Sequence, residues 1–341
     1  MDQSGAAERD ASRPEIHVLS TGGTIASTAG EDGKTPSESG SAVLEAVPDI
    51  EALASIRVDD ICQVSGFQMD APNANAVADA VERSARAGAD GVVVTHGTDT
   101  MAETAYFLES VLETDLPVVC TGSQRSFDQL GTDGPTNLRL AVRAAAHERF
   151  RDAGGVYVAF NETVHSARDV VKRHTSKLET FQSPNLGPVA LETPAGLRFP
   201  GSPGPRVPSI PGARLDPEVQ VAIVTNALGT DGGVLEAALE GPDAVDGIVL
   251  AGTGLGNATA PLGTVLERAL EADIPVVLTS RCHVGSSAGV YGGPGGATTL
   301  LEAGAIGGSD LPAWKARLTL WLAIGAGKDT AAIRALFDEL E

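Results

Sequence analysis

The sequence has little lysine, few aromatic residues and a large excess of acidic side chains. Only five of its 24 basic residues are lysine, against 45 aspartates and glutamates, and the formal net charge is −21. Such a surface lacks the positive patch with which proteins bind nucleic acid or anionic membranes. It is typical of proteins that stay soluble in concentrated salt, where ions screen the repulsion between like charges, so we expect a halophilic protein.

Cysteine is scarce as well. The chain has three, Cys62, Cys120 and Cys282, with no paired spacing, and we expect buried free thiols. None of the six histidines is spaced from another histidine or from a cysteine as paired metal ligands are. The sequence therefore predicts no metal site and no cofactor.

Long apolar runs are missing. The longest near the C-terminus, "LTLWLAIGAG", is far shorter than the roughly 20 residues that span a bilayer. The first residues, "MDQSGAAERDASRP", are polar and charged where a signal peptide would be apolar. We therefore expect a cytoplasmic protein that binds no membrane, with a disordered polar tail over residues 1–14.

The sequence does contain a repeated pattern of short apolar runs. Runs rich in valine and isoleucine end in Gly, Thr or Ser and alternate with Ala/Glu/Arg-rich segments of helical spacing. This pattern is typical of a parallel sheet covered by helices. The predicted strands are "IHVLS", "GVVVTH", "LPVVC", "GVYVAF", "VQVAIVT", "GIVLAG" and "IPVVLTS".

A segment rich in proline and glycine, "ETPAGLRFPGSPGPRVPSIPGARLDP", separates the fourth predicted strand from the fifth. Proline and glycine recur there too often for a helix or a central strand. We predict an α/β protein with a larger N-terminal domain over residues 15–190, which contains a mainly parallel Rossmann-like sheet. A linker over 191–215 and a smaller C-terminal α/β domain over 216–341 follow.

One helix is predicted with particular clarity, over "NANAVADAVERSARAGAD". Val77, Val81 and Ala85 fall on one face, and Gly88 is placed to end the helix. The helix would pack on the strand that follows it.

Three turns that bear threonine follow predicted strands: "STGGT", "THGTDT" and "CTGSQ". Because the carboxyl ends of parallel strands share one edge of a sheet, we expect the turns to converge there. Their hydroxyls and Asp99 have an ordinary alternative role, which is to cap the helices that follow. A threonine and an aspartate beside a glycine-lined backbone are also what nucleophilic acyl transfer requires.

Several longer motifs follow one another along the chain: "LSTGGTIAS", "VVVTHGTDTMAETAYFL", "DGPTNLRLAV", "ARDVVKRHTSKLETFQSPNLGPVA", "AGTGLGN" and "AGAIGGSDLPAWKARLTLWL". In order and spacing they resemble the threonine-dependent L-asparaginase/glutaminase family. The likeness covers nearly the whole chain after residue 14. It implies an amidohydrolase that converts L-asparagine to L-aspartate and ammonia as a homo-oligomer, a dimer or a tetramer.

The resemblance implies a role for each matched residue. Thr24 would be the nucleophile that forms a β-aspartyl ester, and Thr98, Asp99 and Lys172 would form a proton relay. Asp99 would also bind the α-amino group of the substrate. Backbone N–H groups around Gly23 and Thr98 would stabilise the oxyanion.

The remaining substrate contacts expected from the resemblance are less uniform. Ser123 lies in the third turn, and Asn257 matches an asparagine that approaches the site from the partner's second domain. Gln68 matches a polar residue of the pocket, but Phe67 stands where many members carry a serine, so we expect it to form only a pocket wall. No tyrosine stands in the loop after the nucleophile, where Lys34 or Thr35 takes its place in a lid.

Two other functions remain open at this stage. The amidase subunit of a glutamyl-tRNA(Gln) amidotransferase resembles the same family, although it normally carries an extra N-terminal domain, and only about fourteen residues precede the first predicted strand. A non-catalytic Rossmann-like binding protein is the other. It would show a glycine fingerprint followed by an acidic residue about twenty positions later, whereas "TGGTIAS" leads into a loop rich in glycine and serine.

Overall fold

The computed structural model describes residues 13–30, 33–204, 207–241 and 244–340. The tail expected over residues 1–14 lies outside these ranges except for its last two residues.

Strands and helices alternate along most of the chain. The strands are β1 (Glu15–Gly22), β2 (Ser27–Gly30), β3 (Gly33–Pro36), β4 (Ser55–Val64), β5 (Gly91–Thr95), β6 (Val118–Thr121), β7 (Val156–Phe160), β8 (Thr163–Ser166), β9 (Val171–Lys172), β10 (Phe181–Gln182), β11 (Ala190–Thr193), β12 (Gly196–Arg198), β13 (Val221–Thr225), β14 (Gly247–Gly252), β15 (Val276–Ser280) and β16 (Ile306–Gly307). The helices are α1 (Gly40–Glu45), α2 (Ala71–Arg86), α3 (Met101–Val111), α4 (Gly134–Ala146), α5 (Glu148–Ala153), α6 (Gly233–Leu239), α7 (Ala260–Glu271), α8 (Ala297–Glu302), α9 (Ala313–Gly325) and α10 (Thr330–Asp338).

The larger sheet has eight strands in the order β12-β11-β8-β7-β6-β5-β1-β4. Its five strands from β7 to β4 are parallel, while β8, β11 and β12 are antiparallel. Strands β5, β6 and β7 are buried along their whole length, as expected where helices cover both faces of a sheet.

The smaller sheet belongs to a separate C-terminal domain. It contains four parallel strands in the order β13-β14-β15-β16. All seven predicted strands are present, and the predicted fold class, an α/β protein with a larger and a smaller domain, is confirmed.

Strand β4 is absent from the sequence prediction. Its residues are half-buried or exposed, because it forms the edge of the larger sheet beside β1. Apolar and polar residues alternate over its first half, with Ile56 and Val58 between polar neighbours, and such alternation is the signal of a half-buried strand. The prediction followed continuous apolar runs, which mark only central strands.

Helix α2 forms where the sequence predicts it. Val77 and Val81 are fully buried, and Gly88 follows the last turn with φ of 85°. Ala85 is half-buried, and Ser84 beside it is buried. At about 100° per residue, Ser84 lies roughly 20° and Ala85 roughly 80° from the direction of Val77, so Ala85 lies at the margin of the buried face.

Other features of the chain lie at the surface. The expectation of three buried thiols holds only for Cys120: Cys62 is half-buried because it lies in the edge strand β4, and Cys282 is exposed because it follows β15 rather than lying within it. The segment predicted as a linker begins with the end of β11 and with β12, at the edge of the larger sheet. In the ranges that the structure covers, no helix is long and apolar enough to cross a membrane.

Candidate active site

Three glycine turns meet in direct backbone contact at the carboxyl edge of the larger sheet. A Cβ on Gly23 would lie 2.4 Å from the backbone nitrogen of Gly97, and a Cβ on Gly97 would lie 2.4 Å from the Cα of Gly66. Gly23 also has φ of 76°, a left-handed conformation that other residues adopt at a cost. Only glycine fits these positions, and the residues that follow Gly23 and Gly97 leave from one contact.

Threonine hydroxyls at the ends of β1 and β6 donate hydrogen bonds to neighbouring strands. The Thr21 hydroxyl donates to the Thr95 carbonyl at 2.9 Å, and the Thr121 hydroxyl donates to the Ala159 carbonyl at 2.8 Å. The His96 N–H donates to the Thr121 carbonyl at 2.7 Å. The predicted convergence of the three turns is therefore confirmed.

The side chains of the second turn do not cap the helix that follows it, which was the alternative role. No side chain caps the N-terminus of α3, although Thr98, Asp99 and Thr100 lie immediately before it. Thr100 instead donates to the Gly66 carbonyl at 2.6 Å, which holds the turn after β4 against the start of α3. Thr98 and Asp99 are left available for other partners.

Lys172 is the partner of both residues. Its ammonium lies 2.8 Å from the Thr98 hydroxyl oxygen and 2.6 Å from a carboxylate oxygen of Asp99. The lysine side chain is only 16% exposed, whereas that of Asp99 is 53% exposed, so one end of the pair is sheltered and the other faces solvent. A lysine that is distant from Thr98 and Asp99 in the sequence thus joins them in one contact.

Thr24 begins a single helical turn that continues to Ala26. Its side chain is half-buried, and its hydroxyl has no hydrogen-bond partner in the part of the chain that the structure describes. The turn is held by its backbone, since the Gly23 carbonyl accepts from the Ala26 N–H and the Ser27 hydroxyl. Thr24 is therefore fixed in place while its hydroxyl stays uncommitted.

The Gly23 N–H does not fit the expected role of oxyanion donor. It already donates to the Val64 carbonyl at 2.9 Å, as part of the contact between β1 and β4. The Thr98 N–H donates no hydrogen bond within the described residues, so it keeps the capacity for that role.

His96 is a structural residue that the sequence prediction missed. It is fully buried, its Nδ1 lies 2.7 Å from the Gly97 carbonyl oxygen, and its Nε2 lies 3.0 Å from the Thr104 hydroxyl. Burial lowers the pKa of His96 to about 4, so the ring is neutral at neutral pH. A neutral ring here donates from Nδ1 to Gly97 and accepts from Thr104, which fixes the turn before Thr98.

Two family models match the chain. One, described as the N-terminal domain of asparaginase, covers residues 15–201, and the other, described as the C-terminal domain of glutaminase and asparaginase, covers residues 220–337. The chain belongs to the asparaginase family. As a member of that family it is an amidohydrolase.

Individual relatives agree with this assignment. A probable L-asparaginase from Deinococcus radiodurans is 36% identical, over 96% of this chain and 98% of its own. A glutamyl-tRNA(Gln) amidotransferase subunit from Methanosarcina mazei is 33% identical, over 87% of this chain and 71% of its own. The crystal structure of a probable cytoplasmic L-asparaginase from Campylobacter jejuni superimposes with a TM-score of 0.85 at 30% identity, covering 96% of this chain and all of that one.

Phe67 and Gln68 lie at the same sheet edge of this asparaginase-family chain. They follow Gly66 in a short helical turn, and both side chains are exposed, that of Phe67 by 72%. Because Gly66 is pressed against Gly97, the turn stays beside the site.

Ser123 and the expected lid occupy the neighbouring loops. The Ser123 hydroxyl is buried and donates to the Arg125 carbonyl at 2.6 Å, so its proton is committed within its own turn. Strands β2 and β3 form an antiparallel hairpin in which Lys34 and Thr35 are exposed. The Lys34 ammonium lies 3.1 Å from the side-chain oxygen of Gln129, which ties the hairpin to the loop after β6.

Asn257 is not brought to Thr24 or Lys172 within the chain. It lies in the C-terminal domain, in the turn after β14, where its side-chain oxygen accepts from the Ala297 N–H at 3.0 Å. Its side-chain nitrogen is 3.4 Å from the Thr253 carbonyl oxygen.

Proposed function

We propose that this protein is an L-asparaginase that hydrolyses L-asparagine to L-aspartate and ammonia, with Thr24 as the nucleophile. The contact of Lys172 with Thr98 and Asp99 is the observation that carries the proposal. It joins a hydroxyl, an amine and a carboxylate beside a second threonine whose hydroxyl is uncommitted. Activated nucleophiles in enzymes need such an adjacent base.

In the first half of the reaction, the Thr24 oxygen attacks the side-chain amide carbon of the substrate. Lys172 acts here as the neutral amine: the Thr24 proton passes to it by way of the Thr98 hydroxyl, which leaves Lys172 as the ammonium. The negative charge on the former carbonyl oxygen is stabilised by backbone N–H groups such as that of Thr98. The carbon–nitrogen bond then breaks, the nitrogen takes the proton from the relay, and ammonia leaves. A β-aspartyl ester of Thr24 remains.

In the second half, a water molecule replaces ammonia. The relay removes a proton from the water as the oxygen attacks the ester carbon, and the proton returns to Thr24 as the ester bond breaks. L-Aspartate is released and the hydroxyl is restored. Asp99 binds the α-amino group throughout, for which its half-exposed carboxylate is suited.

The remaining contacts belong to the same proposal. Gln68 and backbone groups bind the rest of the substrate, among them the backbone of the turn that Ser123 holds through its bond to Arg125. Phe67 forms a wall of the pocket, and Lys34 or Thr35 closes over it in the lid. Asn257 reaches the site of a partner subunit in a homo-oligomer, either a dimer or a tetramer. Exposed apolar side chains of the C-terminal domain favour such an assembly: Leu228, Val234, Val284, Val290 and Tyr291.

Location and solvent are also part of the proposal. A cytoplasmic protein agrees with the name of the Campylobacter jejuni neighbour. The net charge of −21 and the scarcity of lysine favour a halophilic protein.

A second candidate function rests on the relative from Methanosarcina mazei. In that reading the protein is the amidase subunit of a glutamyl-tRNA(Gln) amidotransferase. The chain is 33% identical to that relative and spans 71% of its length, and it is 36% identical to the Deinococcus radiodurans relative and spans 98% of that one.

The test is ammonia release from L-asparagine and, separately, from L-glutamine, by the purified protein without tRNA or nucleotide. Each assay is run at low salt and at molar salt, with Thr24→Ala as the blank. We expect turnover of asparagine by the wild type alone, and higher activity in molar salt. A folded protein that releases ammonia from neither amide would contradict the proposal, and a need for tRNA would favour the amidotransferase.

A further inference from the structure

A buried lysine in the C-terminal domain has no part in the mechanism above. Lys315 of α9 is fully buried, and its ammonium donates to the carbonyl oxygens of Ala167 at 2.8 Å, Arg168 at 3.0 Å and Val170 at 2.6 Å. An ammonium has three protons, and each finds one acceptor. The three acceptors all belong to one short segment of the N-terminal domain.

That segment leads directly to the relay lysine. Lys172 follows Val170 by two residues, in the short strand β9. Only the two backbone angles of Val171 lie between the fixed Val170 carbonyl and the Cα of Lys172, and the pairing of Lys172 with Phe181 in the ladder of β9 and β10 restricts those angles. The same segment is fixed on its other side, because the Asp169 carboxylate accepts from the Leu186 N–H at 2.6 Å.

Helix α9 also holds α3, the helix that begins two residues after Asp99. Thr319, one turn after Lys315, shares a hydrogen bond of 2.8 Å with the hydroxyl of Tyr106 in α3. The Lys315 ammonium itself lies 5.6 Å from the centre of the Tyr106 ring. One face of α9 therefore touches both the segment that precedes Lys172 and the helix that follows Asp99.

The surroundings of Lys315 are charged as well as buried. Burial lowers the pKa of Lys315 to about 7, while Asp169, Glu103 and Glu109 raise it and Arg168 lowers it. Burial raises the pKa of Glu103, which also interacts electrostatically with Lys172 and Asp99. A buried charge costs more free energy than a well-packed apolar residue, and the three carbonyl acceptors offset part of that cost.

We propose that Lys315 is a positioning residue for the reaction: it holds the segment 167–170 so that the Lys172 amine stays in contact with Thr98 and Asp99. The C-terminal domain thereby sets the geometry of the proton relay of its own chain. This inference rests on the proposed function, since it assigns Lys172 to that relay. A second interdomain contact, the ion pair of Arg168 with Asp310, supports the same segment.

The test compares Lys315→Met with Lys328→Met, which makes the same chemical change in the same domain. Lys328 is half-buried and its side chain has no bond with the described residues, so its variant keeps wild-type kinetics. For Lys315→Met we expect kcat for L-asparagine to fall roughly 10- to 100-fold while KM changes less than about three-fold, as for a misplaced catalytic group. We also expect the pH optimum of kcat to move, because Lys172 loses a fixed distance to Asp99.

A merely structural role would lower the folded fraction without moving the pH optimum. If Lys315→Met does not fold, Asp310→Asn weakens the same interdomain contact more mildly, and kcat should fall several-fold with KM little changed. A folded variant with wild-type kcat and pH optimum would overturn the inference while leaving the proposed function intact. A wild type that does not hydrolyse asparagine would overturn both.

Discussion

The two domains of this protein use the same backbone device at the carboxyl edge of a parallel sheet. In the N-terminal domain a Cβ on Gly23 would lie 2.4 Å from Gly97, and in the C-terminal domain a Cβ on Gly252 would lie 2.5 Å from Gly256. A threonine follows the glycine in both places, Thr24 in one and Thr253 in the other. The two edges differ in what their side chains do.

At the C-terminal edge the polar side chains satisfy one another. The Thr253 hydroxyl and the Asn226 amide both lie 3.1 Å from the Asn257 carbonyl oxygen, and the Asn226 side-chain oxygen accepts from the Thr259 N–H at 3.2 Å. At the N-terminal edge the Thr24 hydroxyl has no hydrogen-bond partner among the described residues, and Lys172 forms an ion pair with Asp99 at the same edge. Close glycine packing therefore forms the turn at both edges. The uncommitted hydroxyl and the ion pair at the N-terminal edge make that edge the candidate for catalysis.

The comparison is tested most severely by Thr24→Ala. We expect kcat to fall about 10⁴-fold or more, because the nucleophile is lost. The free energy of unfolding should not change, because the Thr24 hydroxyl makes no hydrogen bond to any residue that the structure describes. The assays are ammonia release and urea unfolding.

Thr279→Ala is the matched control in the C-terminal sheet. The buried Thr279 hydroxyl donates to the Leu250 carbonyl at 2.8 Å, so its loss should cost about 1 kcal/mol of stability and leave kcat unchanged. A stable Thr24→Ala protein with near-normal turnover would remove Thr24 from the mechanism. The threonines of both sheet edges would then have only structural roles.

A smaller but still large effect is expected for Lys172→Met. The proton relay is broken, and kcat should fall about 10²- to 10⁴-fold. Stability should change by less than about 1 kcal/mol, because the Asp99 end of the pair is exposed to water. Steady-state kinetics and thermal unfolding measure the two quantities.

Arg268→Met provides the comparison in the C-terminal domain, where Arg268 lies 2.6 Å from Glu236 in an exposed ion pair. This variant should alter neither kcat nor stability appreciably. If both ion pairs proved equally dispensable for turnover, the charge at the N-terminal edge would have no special role.

The domains should also differ in their response to acid. Burial lowers the pKa of His96 and of His165 to about 4, whereas an unfolded histidine titrates near pH 6.5. Between these values the unfolded chain binds protons that the folded chain does not, so stability falls as the pH is lowered from 6.5 to 4. Each histidine contributes roughly 3 kcal/mol over the whole window.

The only histidine of the C-terminal domain, His283, is exposed. Hydrogen exchange across this pH range should therefore show the N-terminal domain opening first. His165→Gln should flatten the pH dependence of urea unfolding, and His283→Gln should not. Equal acid sensitivity in both domains would contradict the assignment.

Most of the fold was predictable because central parallel strands are continuous apolar runs that end in recognisable turns. In the larger sheet, β4, β11 and β12 were not predicted, since strands at or near the edge are only partly buried and lack a continuous apolar run. Strand β8 was missed because it is only four residues long and its buried residues include His165 and Ser166. The meeting of the turns after β1, β5 and β6 followed from the parallel sheet alone.

The candidate site was predictable only in part. A parallel sheet places Thr24 and Thr98 at one edge, but nothing in the spacing of Lys172 brings it there, and its assignment came from a resemblance. The Gly23 N–H is not free to bind an oxyanion because it donates to the Val64 carbonyl of β4, a strand that was not predicted from the sequence. Lys315 was invisible for a similar reason, because its three acceptors are backbone carbonyls, which carry no residue-specific signal.

The smallest effect concerns substrate affinity, and it compares two exposed apolar residues. Phe67 is 72% exposed beside the glycine contact, and Val234 is 86% exposed at the start of α6. Phe67→Ser should lower KM for L-asparagine about five-fold, since one added hydrogen bond to a carboxylate contributes roughly 1 kcal/mol. Val234→Ser should leave KM unchanged, and kcat should stay within about two-fold in both variants. An unchanged KM in Phe67→Ser would mean that Gln68 and backbone N–H groups already satisfy the carboxylate, so that at this edge the side chain of residue 67 shapes the pocket without binding in it.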